Sequence, residues 1–243
     1  MICFLTSRPD PPDSDHTSLN PANRFLAELL RVLPQPCRVL NICSDPESHA
    51  ITDYYSGFMK ASLENAGIAL AAFRILDGRN EAEAAELIRD AELLILSGGH
   101  VPTQNRFFRK IGLKALLRGF DGVVLGISAG SMNSAELVYA QPEEAGEAVD
   151  PAYRRFLPGL GLTKRMLLPH YQQIKDELLD GLRVMEDIAF PDSMGREFLC
   201  LPDGSYLYID NGREEIRGEA YLLADGRLSR IGQDEGTVRL SPF

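Results

Sequence analysis

The chain has 243 residues, 44% of them hydrophobic and 25% charged, with a formal net charge of −10. That length suits one large domain over 1–243 and is short for two. The acid surplus argues against a general nucleic-acid binder, because phosphate recognition leaves a basic footprint.

No stretch approaches the roughly 18 apolar residues of a membrane span, and the N-terminal apolar run is too short for a signal peptide. The four cysteines, Cys3, Cys37, Cys43 and Cys200, form no C-x-x-C pair and share no ligand spacing with the histidines. Free thiols, no metal and a cytoplasmic location are the expectation.

Apolar strand-like runs alternate with helix-period segments, the pattern of a parallel sheet covered on both faces. A strand is expected at 2–7, then a polar, Pro-rich loop, a helix at 24–33 and a strand at 37–44. A helix at 52–67, a strand at 68–76, a helix at 81–91 and a strand at 92–99 follow. A helix at 106–120 precedes a strand at 122–128, and another helix opens directly after it.

Further on, a strand at 164–170 and a helix at 176–190 are expected. The tail carries Asp203-Gly204, Asn211-Gly212 and Asp225-Gly226 between alternating apolar runs. Such dipeptides favour two-residue hairpins. The fold expected is a three-layer, doubly wound, mostly parallel α/β sheet with an antiparallel C-terminal hairpin extension.

Gly126-Ile127-Ser128-Ala129-Gly130 matches G-x-S-x-G, in which a serine stands on a sharp turn between strand and helix. Ser128 is the candidate nucleophile, and the Ala129 N–H at the helix start is a candidate oxyanion donor. Gly98 and Gly99 end the preceding strand within "LSGGHVPTQN". Without a Cβ their amides can approach a ligand, so either is a candidate second donor.

A serine nucleophile needs a base. Of the four histidines, His16 and His49 lie in polar segments, while His100 and His170 follow strand ends. Ligands of open parallel sheets gather at those ends. His170 is favoured because it lies beyond the acid-rich loop 141–150, giving the order serine, acid, histidine. The acid is expected from Glu143, Glu144, Glu147 or Asp150 of that loop.

Three segments, "LSGGHVPTQN", "VVLGISAGSMN" and "MLLPHY", in this order and separation resemble the peptidase E family of aspartyl dipeptidases and its relative cyanophycinase. The likeness runs over roughly residues 36 to 232. It implies a class I glutamine amidotransferase-like, flavodoxin-like fold with serine in place of the cysteine nucleophile. Carried over by position, Ser128 is the nucleophile, His170 the base, and Gly99 and Ala129 the oxyanion donors. The acid falls most simply on Glu143, with Glu144 and Glu147 as the neighbouring registers. Gly98, His100, Gln104 and Tyr171 become candidate substrate contacts.

The resemblance implies hydrolysis of an amide in a small peptide through an acyl-enzyme, with no cofactor. It also implies arginines after the histidine that hold an aspartyl carboxylate. Here that run is "HYQQIKDELLDG", with Gln172, Gln173 and Lys175, and the nearest arginine candidates are Arg106 and Arg109.

A glutamine amidotransferase would carry cysteine at 128. An α/β-hydrolase needs more chain than the 42 positions between Ser128 and His170. The competing reading is a catalytically inactive ligand-binding or regulatory protein on the same fold. A homodimer through the hairpin tail is the assembly it leaves open.

Overall fold

Five apolar runs lie side by side as parallel strands in a computed structural model that describes residues 1–11 and 14–241. Positions 12 and 13 of the Pro-rich loop lie outside the described residues. The strands are β1 (Ile2–Thr6), β2 (Cys37–Ile42), β3 (Leu70–Leu76), β4 (Leu93–Leu96) and β5 (Val123–Ile127), in the order β1-β5-β4-β2-β3.

Alternation along each strand feeds two cores, as the two-residue period requires. On β4, Leu93 and Ile95 join one core, and Leu94 and Leu96 the other. The first core takes Phe25 and Leu29 of helix α1 (Phe25–Val32) and Leu63 of α2 (His49–Asn65). The second takes Leu87 and Ile88 of α3 (Ala84–Asp90) and Phe107 and Phe108 of α4 (Val101–Lys110). The three layers expected from the sequence follow directly.

The helix expected at 106–120 starts earlier and breaks. Gly112 adopts φ +67° and separates α4 from the single turn α5 (Leu113–Leu116). Beyond β5, helix α6 spans only Ala129–Asn133 before the ribbon of β6 (Leu137–Tyr139) and β7 (Phe156–Pro158).

The expected helix at 176–190 is a second correction. After β8 (Met166–Pro169) and the short α7 (Tyr171–Ile174), the chain forms a tight hairpin of β9 (Leu178–Leu179) and β10 (Leu182–Arg183). Asp180 and Gly181 turn it with φ of 54° and 82°, the conformation that Asp-Gly favours in two-residue hairpins. A π-helical turn at Val184–Ala189 and α8 (Phe190–Asp192) complete the segment.

The tail divides between two sheets. β12 (Tyr206–Asp210), β13 (Arg213–Arg217) and β16 (Thr237–Arg239) extend the central sheet antiparallel beyond β1. β8 instead pairs in parallel with β11 (Glu197–Leu201), followed by β14 (Ala220–Ala224) and β15 (Arg227–Gly232), in a separate four-stranded sheet. The hairpins at Asn211-Gly212 and Asp225-Gly226 are present.

Asp203-Gly204 is not a hairpin. It carries the chain from β11 in the second sheet to β12 in the central one. Leu167 and Leu199 point to the core shared with Leu5 and Leu207, while Leu168, Phe198 and Cys200 fill a separate cluster.

Candidate active site

The turn after β5 leaves almost no room. A Cβ on Gly130 would collide with the Leu96 carbonyl oxygen, and one on Gly126 would lie 3.0 Å from Ser131 Cα. Both glycines of the motif are therefore dictated by backbone proximity. Ser128 itself sits at φ 48°, ψ −110°, a conformation that costs a non-glycine residue about 1–3 kcal/mol. The Ser128 N–H and the Ser131 hydroxyl both donate to the Thr6 carbonyl, at 3.0 and 2.7 Å, and hold the turn to β1.

Gly98 and Gly99 follow the neighbouring strand β4. A Cβ on Gly98 would stand 3.4 Å from Ser128 Cβ, so the glycine turn lies directly beside the serine. Gly99 has positive φ, and a Cβ there would strike the Ser44 side chain. Ala129 is fully buried at the first position of α6, where the helix N–H groups lack intrahelical acceptors.

His170 caps α7 with φ 56°. Its Nδ1 lies 2.7 Å from Asp203 Oδ1, and an ionised carboxylate only accepts, so Nδ1 carries the proton. Asp203 is itself fixed. Its N–H donates to Gln172 Oε1 at 3.0 Å, and Gln173 Nε2 donates to its Oδ2 at 3.4 Å. The two glutamines that stand where arginines were expected thus orient the carboxylate on the histidine.

Ser128 and His170 line one pocket of about 170 Å³, together with Met132, Gln141, Glu143 and Glu177. The two side chains make no direct hydrogen bond in this state. Such contacts often tighten only when substrate arrives.

Glu143, the acid expected from the sequence, is not the partner of His170 here: Asp203 lies at His170 Nδ1. The carboxyl of Glu143 makes no hydrogen bond to either histidine of the region. It lines the pocket, and although the residue is exposed overall, desolvation of its carboxyl, followed by Glu147, Glu177 and Glu144, raises it to about 8.

Glu147 pairs with the other histidine. His100 Nε2 lies 2.8 Å from Glu147 Oε1, and His100 Nδ1 lies 2.8 Å from Thr103 Oγ1. Glu147 Oε2 also accepts the N–H groups of Glu143 and Glu144, so this pair pins the loop 141–150 to the start of α4. Glu144 contributes no bond to His170, and no side-chain hydrogen bond draws Asp150 toward it.

Two residues expected to contact substrate make contacts within the protein. Gln104 is fully buried, with Nε2 donating to the Ser97 carbonyl at 2.6 Å and Oε1 accepting from Asn133 at 3.0 Å. The Tyr171 ring packs 4.5 Å from that of Tyr221. Arg106 donates to Thr103 on its own helix.

The model of peptidase family S51 matches residues 15–217. The chain belongs to peptidase family S51. It is therefore a serine-type peptidase, and a peptide is the class of substrate.

A crystal structure of a peptidase E candidate from Listeria monocytogenes EGD-e superposes on this S51 chain with a TM-score of 0.54 at 19% identity. The match covers 99% of this chain and 98% of the other, which establishes the shared fold. No curated protein matches the sequence. Among the described residues, no helix of this S51 peptidase is long and apolar enough to cross a membrane.

Proposed function

We propose that Ser128, His170 and Asp203 form the catalytic triad of a peptidase that hydrolyses small peptides, dipeptide-like in scale. The observation that carries this reading is the unengaged second ring nitrogen of His170, beside Ser128. His100 has both nitrogens engaged, by Thr103 and Glu147. His170 has only Nδ1 engaged, by Asp203, which leaves Nε2 open on a residue that lines the same pocket as Ser128.

In the proposed reaction His170 Nε2 takes the Ser128 proton as Oγ attacks the scissile carbonyl. The Gly99 and Ala129 amides stabilise the tetrahedral oxyanion, and the histidine returns its proton to the leaving amine. Water then attacks the acyl-enzyme by the same route. Asp203 holds the tautomer and stabilises the imidazolium.

The strained φ/ψ of Ser128 supports this role over an inert binding turn, because strain of this kind persists where surroundings impose it, most often at active sites. The pocket volume supports small substrates, since about 170 Å³ admits one side chain or terminal group.

Intact-mass analysis after treatment with a fluorophosphonate tests the nucleophile. One adduct is expected on the wild type and none on Ser128→Ala. An unlabelled, folded wild type would remove the reading. Asp203→Asn is expected to lower kcat by about 10²- to 10⁴-fold with KM nearly unchanged. Glu143→Gln should retain labelling, which separates the two carboxylates as triad candidates.

A further inference from the structure

The pocket beside Ser128 presents acceptors and no fixed cation. Glu143 and Glu177 line it, and neither lysine nor arginine is among its lining residues. Gln141 lines it too. This residue is only 4% exposed, and its Oε1 finds no hydrogen-bond donor in the protein. A buried acceptor without a partner is costly, and a donor arriving with a ligand would relieve that cost.

Met132, Leu168, Pro169 and Ile174 supply the apolar part of the wall, beside Ser128, His170 and Gln173. Apolar walls leading to carboxylates suit a group with a methylene stem and a charged end.

We propose that this pocket binds a cationic nitrogen of the peptide substrate, so that the enzyme is selective for a basic group beside the scissile amide rather than for an aspartyl carboxylate. The inference rests on the hydrolytic reading of Ser128 for the position of the scissile bond. The cation is a basic side chain, because the α-ammonium is common to lysyl, norleucyl and aspartyl dipeptides and sets none of them apart.

Three observations converge on the cation. Carboxylates approach from two separate segments, Glu143 from the loop pinned by His100–Glu147 and Glu177 from the turn after α7. Desolvation, and then repulsion from Glu147, Glu177 and Glu144, raise Glu143 to about 8, and a bound cation would relieve part of that cost. The glutamines after His170 hold Asp203 and supply no positive charge for a substrate carboxylate.

The test is binding to the Ser128→Ala protein, measured by calorimetry, so that it reads the pocket whether or not the chemistry is as proposed. The probes are lysyl-alanine, norleucyl-alanine, aspartyl-alanine and the N-acetylated forms of the first two. Lysyl-alanine is expected to bind about 10- to 100-fold tighter than norleucyl-alanine, the range for a hydrogen-bonded charge.

If N-acetyl-lysyl-alanine keeps its advantage over N-acetyl-norleucyl-alanine, the side chain is the cation. If acetylation alone removes the advantage, the α-ammonium carries the binding and the proposal is overturned. Equal binding of all the probes, or tightest binding of aspartyl-alanine, would overturn the proposal. So would an undiminished cation preference in both Glu143→Gln and Glu177→Gln, each in the Ser128→Ala background and checked for folding by circular dichroism. Fluorophosphonate labelling of the wild type reports separately on the serine, so failure of the specificity and failure of the mechanism give different results.

Discussion

His170 and His100 each hold a carboxylate, yet only His170 keeps a ring nitrogen for a substrate. That difference follows from the partners alone, because Thr103 and Glu147 take both nitrogens of His100. The pocket carboxylates add a pH signature. Glu143 is raised to about 8, chiefly by desolvation and then by Glu147, Glu177 and Glu144. Tyr153 also approaches this acidic loop, and His170 faces the pocket from β8.

Below about pH 8 Glu143 is mainly protonated, and above it the group is charged and a better partner for a cation. The ratio of kcat/KM for a lysyl over a norleucyl substrate is therefore expected to rise as pH increases through about 8. A lysine side chain stays charged to roughly pH 10, and the contribution of His170 cancels in the ratio. Steady-state kinetics from pH 6 to 9.5 would check it, with a flat ratio expected for Glu143→Gln.

At the scale of elements, the strand–turn–helix of Ser128 depends on close backbone approach. Gly130→Ala would drive a methyl group into the Leu96 carbonyl, and backbone cannot swing aside as a long side chain can. The variant is expected to lose stability by about 1–3 kcal/mol, as overpacking does, and to lose fluorophosphonate labelling with it. Labelling at the wild-type rate would show that the turn tolerates opening.

The G-x-S-x-G stretch was legible from sequence because its requirements are local: a strand, a glycine turn and a helix start. The same reading missed the hairpin at Asp180-Gly181, although that dipeptide is the same turn signal used correctly at Asn211-Gly212 and Asp225-Gly226. The apolar residues around it also satisfy a helical period, and short apolar runs do not separate the two states.

Across the whole molecule, the proposed triad requires two sheets to stay in register. Ser128 leaves the central sheet, His170 leaves the second sheet, and Asp203 lies on the chain that passes between them. Leu199 is 3% exposed, pairs with Leu167 of β8, and packs into the core common to both sheets. Leu199→Ala is expected to destabilise the fold by about 2–5 kcal/mol, seen as a lower denaturant midpoint at unchanged slope. kcat should fall with it, because β8 carries His170.

The sequence alone determined the alternation of strands and helices, the three layers, the nucleophile turn and the histidine at a strand end. Each of these is written in the periodicity and turn chemistry of neighbouring residues. Only the tertiary structure decided which carboxylate serves His170. Asp203 lies 33 positions away in a dipeptide that locally signals a hairpin, whereas Glu143 lay in the acid-rich loop where an acid was expected. The division of the tail between two sheets was decided in the same way, since strands buried on both faces carry no local mark of which neighbour they pair with.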